Sequence, residues 1–285
     1  MSFMTTSEIQ LSYVVPVYFN QRNAHTLIDL LLRYNAYARE VISHIQFVIV
    51  DDGSPLPIEI PPEINLNISL YRITTDIRWN QCGARNLGVL YAKSPRILLS
   101  DSDHYFPEKL LRAIVYSRVP QKTVYKFKRV NQQGVAIDKA LNIFYMSKSA
   151  FFQTLGYDEE FSGNYGYEDL YFIKLQRRIG NTIRYFTRFK KIVATEVDRE
   201  LSYHSLARDK EINYALYRKK KELMKSRDPF ISHSRTFLQF DWTLVEERLA
   251  ESSRTPLNQC LFPEIEPVGF PQAHGICPSS IVSGG

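Results

Sequence analysis

Short uninterrupted apolar runs alternate along this chain with stretches whose apolar positions recur every three or four residues. The runs at 11–17 (L-S-Y-V-V-P-V), 45–50 (I-Q-F-V-I-V), 68–73 and 96–100 (R-I-L-L-S) show little polar alternation. Such runs suit strands of a parallel sheet covered on both faces. Between the first two, Leu27, Leu30, Leu31 and Tyr34 share one helical face and predict a helix over 24–38. Further helices are predicted from the loop at 79–88 to about residue 92, over 107–116 and 148–155, and from near Glu168. Segment 123–130 alternates like a more exposed strand, and 142–146, 183–189 and 192–195 read as strands as well. A basic helix is predicted over 210–226, after which the pattern weakens and prolines interrupt it. Strand–helix alternation in this order predicts an α/β fold: a doubly wound, largely parallel, Rossmann-like sheet flanked by helices.

Two of the apolar runs end abruptly in acid. One passes into Asp51-Asp52-Gly53-Ser54 and the other into Asp101-Ser102-Asp103. Ligands of open α/β sheets bind at the C-terminal ends of the strands. Hard carboxylate oxygens there suit Mg²⁺ or Mn²⁺, which in turn holds phosphates. Asp and Ser are also ordinary turn residues, so D-x-D alone does not separate a metal site from a solvated turn. The pair Glu168-Asp169 stands where a helix should begin, and the same two residues would serve as simple charge complements to the helix dipole.

Bulk properties narrow the classes. The chain has 285 residues, 44% of them apolar and 13% aromatic, enough for a sizeable core. The 18 tyrosines exceed what a core needs and suit a sugar-binding groove. No membrane span or signal peptide is read in the sequence. Three scattered cysteines fit neither a disulfide framework nor a zinc cluster, so the expected location is cytoplasmic. The net charge of +6 is concentrated in residues 177–227, which carry 15 Lys/Arg against 6 Asp/Glu. That excess predicts contact with anionic membrane or a lipid-linked acceptor, and a location peripheral to a membrane. No nucleic-acid motif accompanies the charge, and no nucleic-acid partner is expected.

Read together, V-V-P-V-Y, F-V-I-V-D-D-G-S, G-A-R-N-L-G, L-L-S-D-S-D and Y-G-Y-E-D resemble, in this order, the motifs of the GT-A glycosyltransferases of the mostly inverting family two. The likeness spans about residues 11–205. The W-N-x-x-G-A-R-N and G-Y-x-E-D blocks are also similar to the galactosyltransferase and chondroitin-polymerase branch. The resemblance implies a catalytic domain over 1–205, with a nucleotide-binding half to about 103 and an acceptor-binding half over 104–205. Residues 206–285 have no counterpart in it and are expected as a basic helical extension.

Roles follow from the resemblance position by position. Asp52 would accept from uracil, with Pro16, Val17 and Tyr18 completing that pocket. Arg85 would lie on phosphate or buttress Asp51, with Asn86 beside it. Asp101 would contact ribose or the donor sugar, next to Ser102. Asp103 would bind the Mn²⁺ or Mg²⁺ that bridges the diphosphate, with His204 as a further ligand. Asp169 would be the catalytic base, Glu168 would hold hydroxyls, and Trp79, Tyr165, Gly166 and Tyr167 would meet the acceptor. The implied reaction is inverting transfer from a nucleotide-sugar, UDP-linked, to a saccharide or lipid-linked hydroxyl. Phe19 intervenes where the family commonly runs from Tyr straight to Asn, and Tyr165 stands where that branch often has Trp. A nucleotidyltransferase of similar fold would want a Gly- and Lys-rich loop after the first strand, and V-P-V-Y-F-N-Q is not one. A non-catalytic nucleotide- or carbohydrate-binding protein would not require Asp101, Asp103 and Asp169 together.

Overall fold

The computed structural model describes residues 8–20, 24–137, 142–186, 191–195 and 208–249. In chain order the strands are β1 (Leu11–Val17), β2 (Ile45–Asp51), β3 (Asn67–Ile73), β4 (Arg96–Leu99), β5 (His104–Tyr105), β6 (Thr123–Lys126), β7 (Arg129–Val130), β8 (Ala136–Ile137), β9 (Phe144–Ser147), β10 (Thr182–Tyr185), β11 (Ile192–Ala194) and β12 (Trp242–Arg248). The helices are α1 (His25–Asn35), α2 (Arg39–Ile42), α3 (Gln81–Leu90), α4 (Glu108–Val115), α5 (Lys148–Gln153), α6 (Glu168–Arg178) and α7 (Glu211–Leu223).

Eight strands form one sheet in the order β10-β6-β9-β4-β1-β2-β3-β12. The stretch β4-β1-β2-β3 is wholly parallel, and β10 runs parallel to β6. Four of the seven pairings are therefore parallel, the mostly parallel sheet that the apolar runs predict. A second sheet, β5-β11-β7-β8, stands beside it.

The period of two along each strand divides the core. Tyr13 and Val15 of β1 and Phe47 and Ile49 of β2 enter one cluster, covered by Leu27 and Leu31 of α1 and Leu111 of α4. Val14, Val48 and Val50 enter the other, with Leu87 of α3 and Phe172 of α6. Both faces are buried, which is why these strands read as continuous hydrophobic runs. Gly88 permits the close approach of α3, since a Cβ there would lie 2.4 Å from Val14 Cγ1.

Several elements depart from the sequence pattern: α3 begins at Gln81, inside the stretch expected as a loop, and the short α2, β5 and β8 were not expected. The strand expected over 123–130 is broken: β6 stays in the large sheet, β7 leaves for the small one, and buried Phe127 turns inward between them. β12 went unpredicted. It pairs antiparallel with β3 across a bulge at Leu244/Glu246, and most of its residues stay exposed, so no apolar alternation marks it. With α7 it fixes residues 211–248 onto the sheet domain. Lys220 of α7 is buried against Asp158 (2.6 Å), while Leu238 and Phe240 join the second core cluster. The segment expected as an appended extension is thus, over these residues, part of the same packed body. The boundary at 205 lies outside the described residues.

Candidate active site

The parallel strands end side by side. Val17 is level with Asp51, and Asp51 with Arg72 on β3. Asp51 Oδ1 accepts the Ser54 amide (2.8 Å) and Oδ2 accepts Arg72 Nη1 (3.1 Å). Arg72, not Arg85, therefore buttresses Asp51. Gly53 at φ 77° supplies the left-handed turn that brings Ser54 back. Asp52 is buried beside this turn, its amide donating to Val17 O (2.8 Å). Pro16 and Val17 end β1 beside it, and Tyr18 follows, close enough to feel the Asp52 charge. Burial raises the Tyr18 hydroxyl above its ordinary value, helped by the charges of Asp76, Asp52 and Asp51. Phe19 turns into the core, and its amide donates to Ser54 Oγ (3.0 Å), which accounts for the apolar residue after Tyr18.

Four polar side chains meet at the end of β4. The Arg85 side chain has no exposed surface, although it is called to the nucleotide on sequence grounds. Its Nη2 donates to Asp101 Oδ1 (2.9 Å) and its Nη1 to Asp169 Oδ1 (2.5 Å) and the Tyr157 hydroxyl (3.0 Å). Tyr157 in turn donates to Asp169 Oδ1 (2.7 Å). Arg85 thus lies beneath the site as an ionic tie between the D-S-D turn and the start of α6. Such burial of a charge is sustained only by paired carboxylates. Asn86 is likewise internal: it donates to Tyr157 O (2.9 Å) and Glu159 Oε1 (2.7 Å) and accepts the Tyr157 amide (2.8 Å). All its side-chain hydrogen-bonding capacity except one Oδ1 lone pair goes to the loop that carries Tyr157, so here it scaffolds that loop.

Asp101 is held by Arg85, by Gln81 Nε2 (3.2 Å) and by a short contact from Asn142 Nδ2. Burial pushes its carboxyl up to about 6 despite Arg85, with Asp103 and Asp169 adding to the rise. Ser102 occupies the turn. Asp103 keeps 35% of its side chain exposed and accepts from His104 Nδ1 (2.6 Å). Burial works to raise Asp103, but the His104 bond and charge outweigh it and hold the carboxyl below the usual range. Asp103 is therefore an anionic oxygen donor open to the site. Among the described residues no three potential ligands cluster, and His204 lies outside those residues. One exposed carboxylate at a strand end still fits Mg²⁺ or Mn²⁺, because such ions commonly take one or two carboxylates and complete their shell with phosphate and water.

The other wall belongs to α6. Its two preceding residues are left-handed, Gly166 at φ 93° and Tyr167 at φ 71°, and no side chain caps the helix. Tyr167 is held in this costly conformation by stacking on Tyr217 of α7 (5.3 Å). The turn delivers Glu168 and Asp169 together. Asp169 keeps 15% of its side chain exposed, and the hydrogen bonds it accepts all fall on Oδ1. Glu168 borders a recess of about 210 Å³, counting space open to solvent, with Trp79, Gln81, Asn164, Tyr165 and Gly166. Its Oε2 is shut from water without a hydrogen-bond partner. Burial, then the neighbouring Asp169 charge, pushes this carboxyl up to about 8, so it is largely protonated near neutral pH. Trp79 and Tyr165 lie 5.1 Å apart, ring to ring.

Arg72, Gln81, Asn142 and Tyr157 went unread in the sequence. Only Tyr157 carried a signal, as an aromatic inside the glycine-flanked G-Y-D-E-E-F loop. The others depend on strand register and chain crossing.

This architecture is shared with solved enzymes. Residues 1–349 of TarS from S. aureus, solved with UDP-GlcNAc, match at TM-score 0.55 and 15% identity over 78% of this chain and 69% of that one. The mannosyltransferase PcManGT from Pyrobaculum calidifontis, solved with GDP-Man and Mn²⁺, matches at 0.51 and 14% over 79% and 68%. The fold is that of the GT-A glycosyltransferases. Residues 12–201, 190 of 285, match the profile of Glycosyl transferase family 2, and the chain belongs to that family. It is a glycosyltransferase enzyme. No curated protein sequence matches it.

Proposed function

We propose that the chain transfers a hexose with inversion from a UDP-sugar to a saccharide or lipid-linked hydroxyl, with Asp169 as the base. The observation that carries this reading is the Arg85–Tyr157 clamp on Asp169 Oδ1, which fixes the carboxylate and leaves Oδ2 without a hydrogen bond. The acceptor oxygen bonds to the anomeric carbon as the bond to diphosphate breaks. Its proton passes to Asp169, and the diphosphate leaves with the bonding electrons. One displacement with one base inverts the anomeric centre. Asp52, Pro16, Val17 and Tyr18 hold the uracil, and Asp101 faces the donor sugar. Glu168, protonated, donates a hydrogen bond to a sugar hydroxyl over the Trp79–Tyr165 surface. Asp103 would hold Mn²⁺ or Mg²⁺, which supplies charge neutralisation to the leaving diphosphate.

The outer face of α7 exposes Arg218, Lys219 and Lys221 beside Ile212, Tyr214 and Leu223. That mixture supports docking on anionic membrane carrying a lipid-linked acceptor. Among the described residues no helix is long and apolar enough to cross a membrane. UDP release measured across a panel of UDP-sugars tests the central reading. One sugar should support turnover, and absence of release from every UDP-sugar while a GDP-sugar is consumed would overturn the uracil assignment.

A further inference from the structure

The small sheet β5-β11-β7-β8 has no part in the transfer described above, yet its first strand begins at His104, the residue after Asp103. β11 lies between β5 and β7, with His104 level with Ala194 and Arg129 level with Ile192. Positions two apart on a strand share a face, so His104 and Arg129 stand on one face of this sheet, on either side of β11. The outer two of three adjacent strands lie roughly 9–10 Å apart, and the long arginine side chain crosses that span. Arg129 Nη1 meets His104 Nε2 at 3.2 Å. On the other side of the ring, Nδ1 meets Asp103 Oδ1 at 2.6 Å. The ring is buried, and the Thr195 amide that follows β11 donates to Asp103 O (2.8 Å), so the small sheet fastens the backbone of the turn as well.

The neighbours place the ring proton. A guanidinium carries only N–H donors, and an ionised carboxylate only acceptors. Nε2 therefore accepts from Arg129, and the proton sits on Nδ1, where it donates to Asp103. Arg129 has five N–H groups, so further partners of its guanidinium leave this bond in place. A ring protonated on Nε2 would turn a proton onto Arg129 and a lone pair onto Asp103.

We propose that His104 and Arg129 are positioning residues for the cation site: Arg129 fixes the tautomer of His104, and the His104 Nδ1–H fixes the carboxylate of Asp103 before a divalent cation arrives. This rests on Asp103 as the carboxylate that would hold Mn²⁺ or Mg²⁺. Asp103 stays partly exposed, and an untied side chain there would lose its rotational freedom only on binding the ion. Hydrogen-bond partners behind a ligand orient it and set its affinity for the metal.

The test uses the full chain and two readouts that need no turnover. Long-range ¹H–¹⁵N NMR of the metal-free protein reads the His104 tautomer, its signals assigned by their absence from His104→Asn. Mn²⁺ binding is read by EPR, with and without UDP, for wild type, Arg129→Met, His104→Leu and His104→Asn, alongside melting temperatures. The wild-type ring should carry its proton on Nδ1, and Arg129→Met should lose that preference. Arg129→Met and His104→Leu should each weaken Mn²⁺ binding by roughly 10–100-fold. His104→Asn, whose Nδ2 can stand where Nδ1 does, should recover most of the loss that His104→Leu shows. Arg129→Met keeps the apolar stem at a half-buried position, and the wild-type tautomer needs no variant, so misfolding of a change at buried His104 leaves the question decidable. A wild-type ring protonated on Nε2 overturns the proposal. So does a folded Arg129→Met protein that binds Mn²⁺ as tightly as wild type, or a His104→Asn protein no better than His104→Leu. Absence of Mn²⁺ binding by the wild type strikes the metal role of Asp103 and this proposal with it, whereas wild-type binding that every variant retains strikes this proposal alone.

Discussion

Replacing Asp169 by Asn separates catalysis from architecture at this site. The carboxylate Oδ1 takes Arg85 at 2.5 Å and Tyr157 at 2.7 Å, and the side chain is 15% exposed. An Asn can present its carbonyl oxygen to both donors, so shape and hydrogen bonds survive. Two things are lost: the ability to take a proton, and one of the two negative charges that face buried Arg85. Removing one partner of a buried pair costs roughly 3–5 kcal/mol when the other is left alone. Here Asp101 still faces Arg85 at 2.9 Å, so a loss of about 1–3 kcal/mol, that of a charged hydrogen bond, is the better figure. The catalytic loss should be larger, roughly 10²–10⁴-fold in kcat, or about 3–5 kcal/mol of barrier. Turnover is assayed as UDP release from the UDP-sugar that supports wild-type activity, alongside thermal melting with and without UDP and Mn²⁺. Tyr157→Phe serves as a control that removes the hydroxyl's bonds to Asp169 and Arg85 and keeps the base, so its loss should be smaller. Asp169 also stands in the first turn of α6, where its charge complements the helix dipole, so the two roles are separated by the assay. A purely structural counter-ion predicts lowered melting temperature with activity recovered on cooling. Near-normal turnover in a stably folded Asp169→Asn protein would refute the assignment.

Further outcomes can be checked independently. EDTA should abolish transfer and Mn²⁺ or Mg²⁺ should restore it, with Asp103→Ala the most damaging single change for metal activation; full activity in EDTA would rule that role out. UDP should raise the melting temperature with metal present while ADP does not, and Asp52→Ala should remove the difference; equal stabilisation by both nucleotides counts against a uracil pocket. Glu159 is pushed up to about 7 by burial, so the folded protein holds a proton there that the unfolded chain releases near its ordinary carboxyl value. Its stabilising contribution is therefore full at low pH and drains as pH rises through about 7. Wild type should lose more melting temperature than Glu159→Gln between pH 5 and 8, and parallel curves would show that this group does not titrate there. Vesicle co-sedimentation should require anionic lipid and fall with salt, and weaken when Lys219 and Lys221 become Glu; indifference to both lipid charge and salt would exclude membrane docking by α7.

Much of the sheet was legible because local physics and tertiary fate agree there. A strand buried on both faces is apolar at most positions, with the few polar ones paired as Ser12 is with Gln46, so β1, β2 and β4 announce themselves, and acids placed directly after such runs have nowhere to go but the sheet's edge. The helix α1 and the onset of α6 follow from periodicity for the same reason, whereas α3 begins at Gln81, inside the stretch expected as a loop. The edge strand β12 could not be read that way: its residues are mostly exposed, and its pairing with β3 is set by a chain segment some 170 positions distant. The candidate site divides along the same line. That Asp101, Asp103, Glu168 and Asp169 belong together is implied by motif order. That Arg85 turns beneath them as a buried tie, that Arg72 takes its expected place against Asp51, and that Tyr157 clamps Asp169 depends on which side chains the crossing of β3, α3 and α6 brings within 3 Å or so. Local sequence fixes the residue types a segment can bury; only the packed sheet decides which charges must neutralise one another, because Coulomb energy and desolvation depend on separation in space.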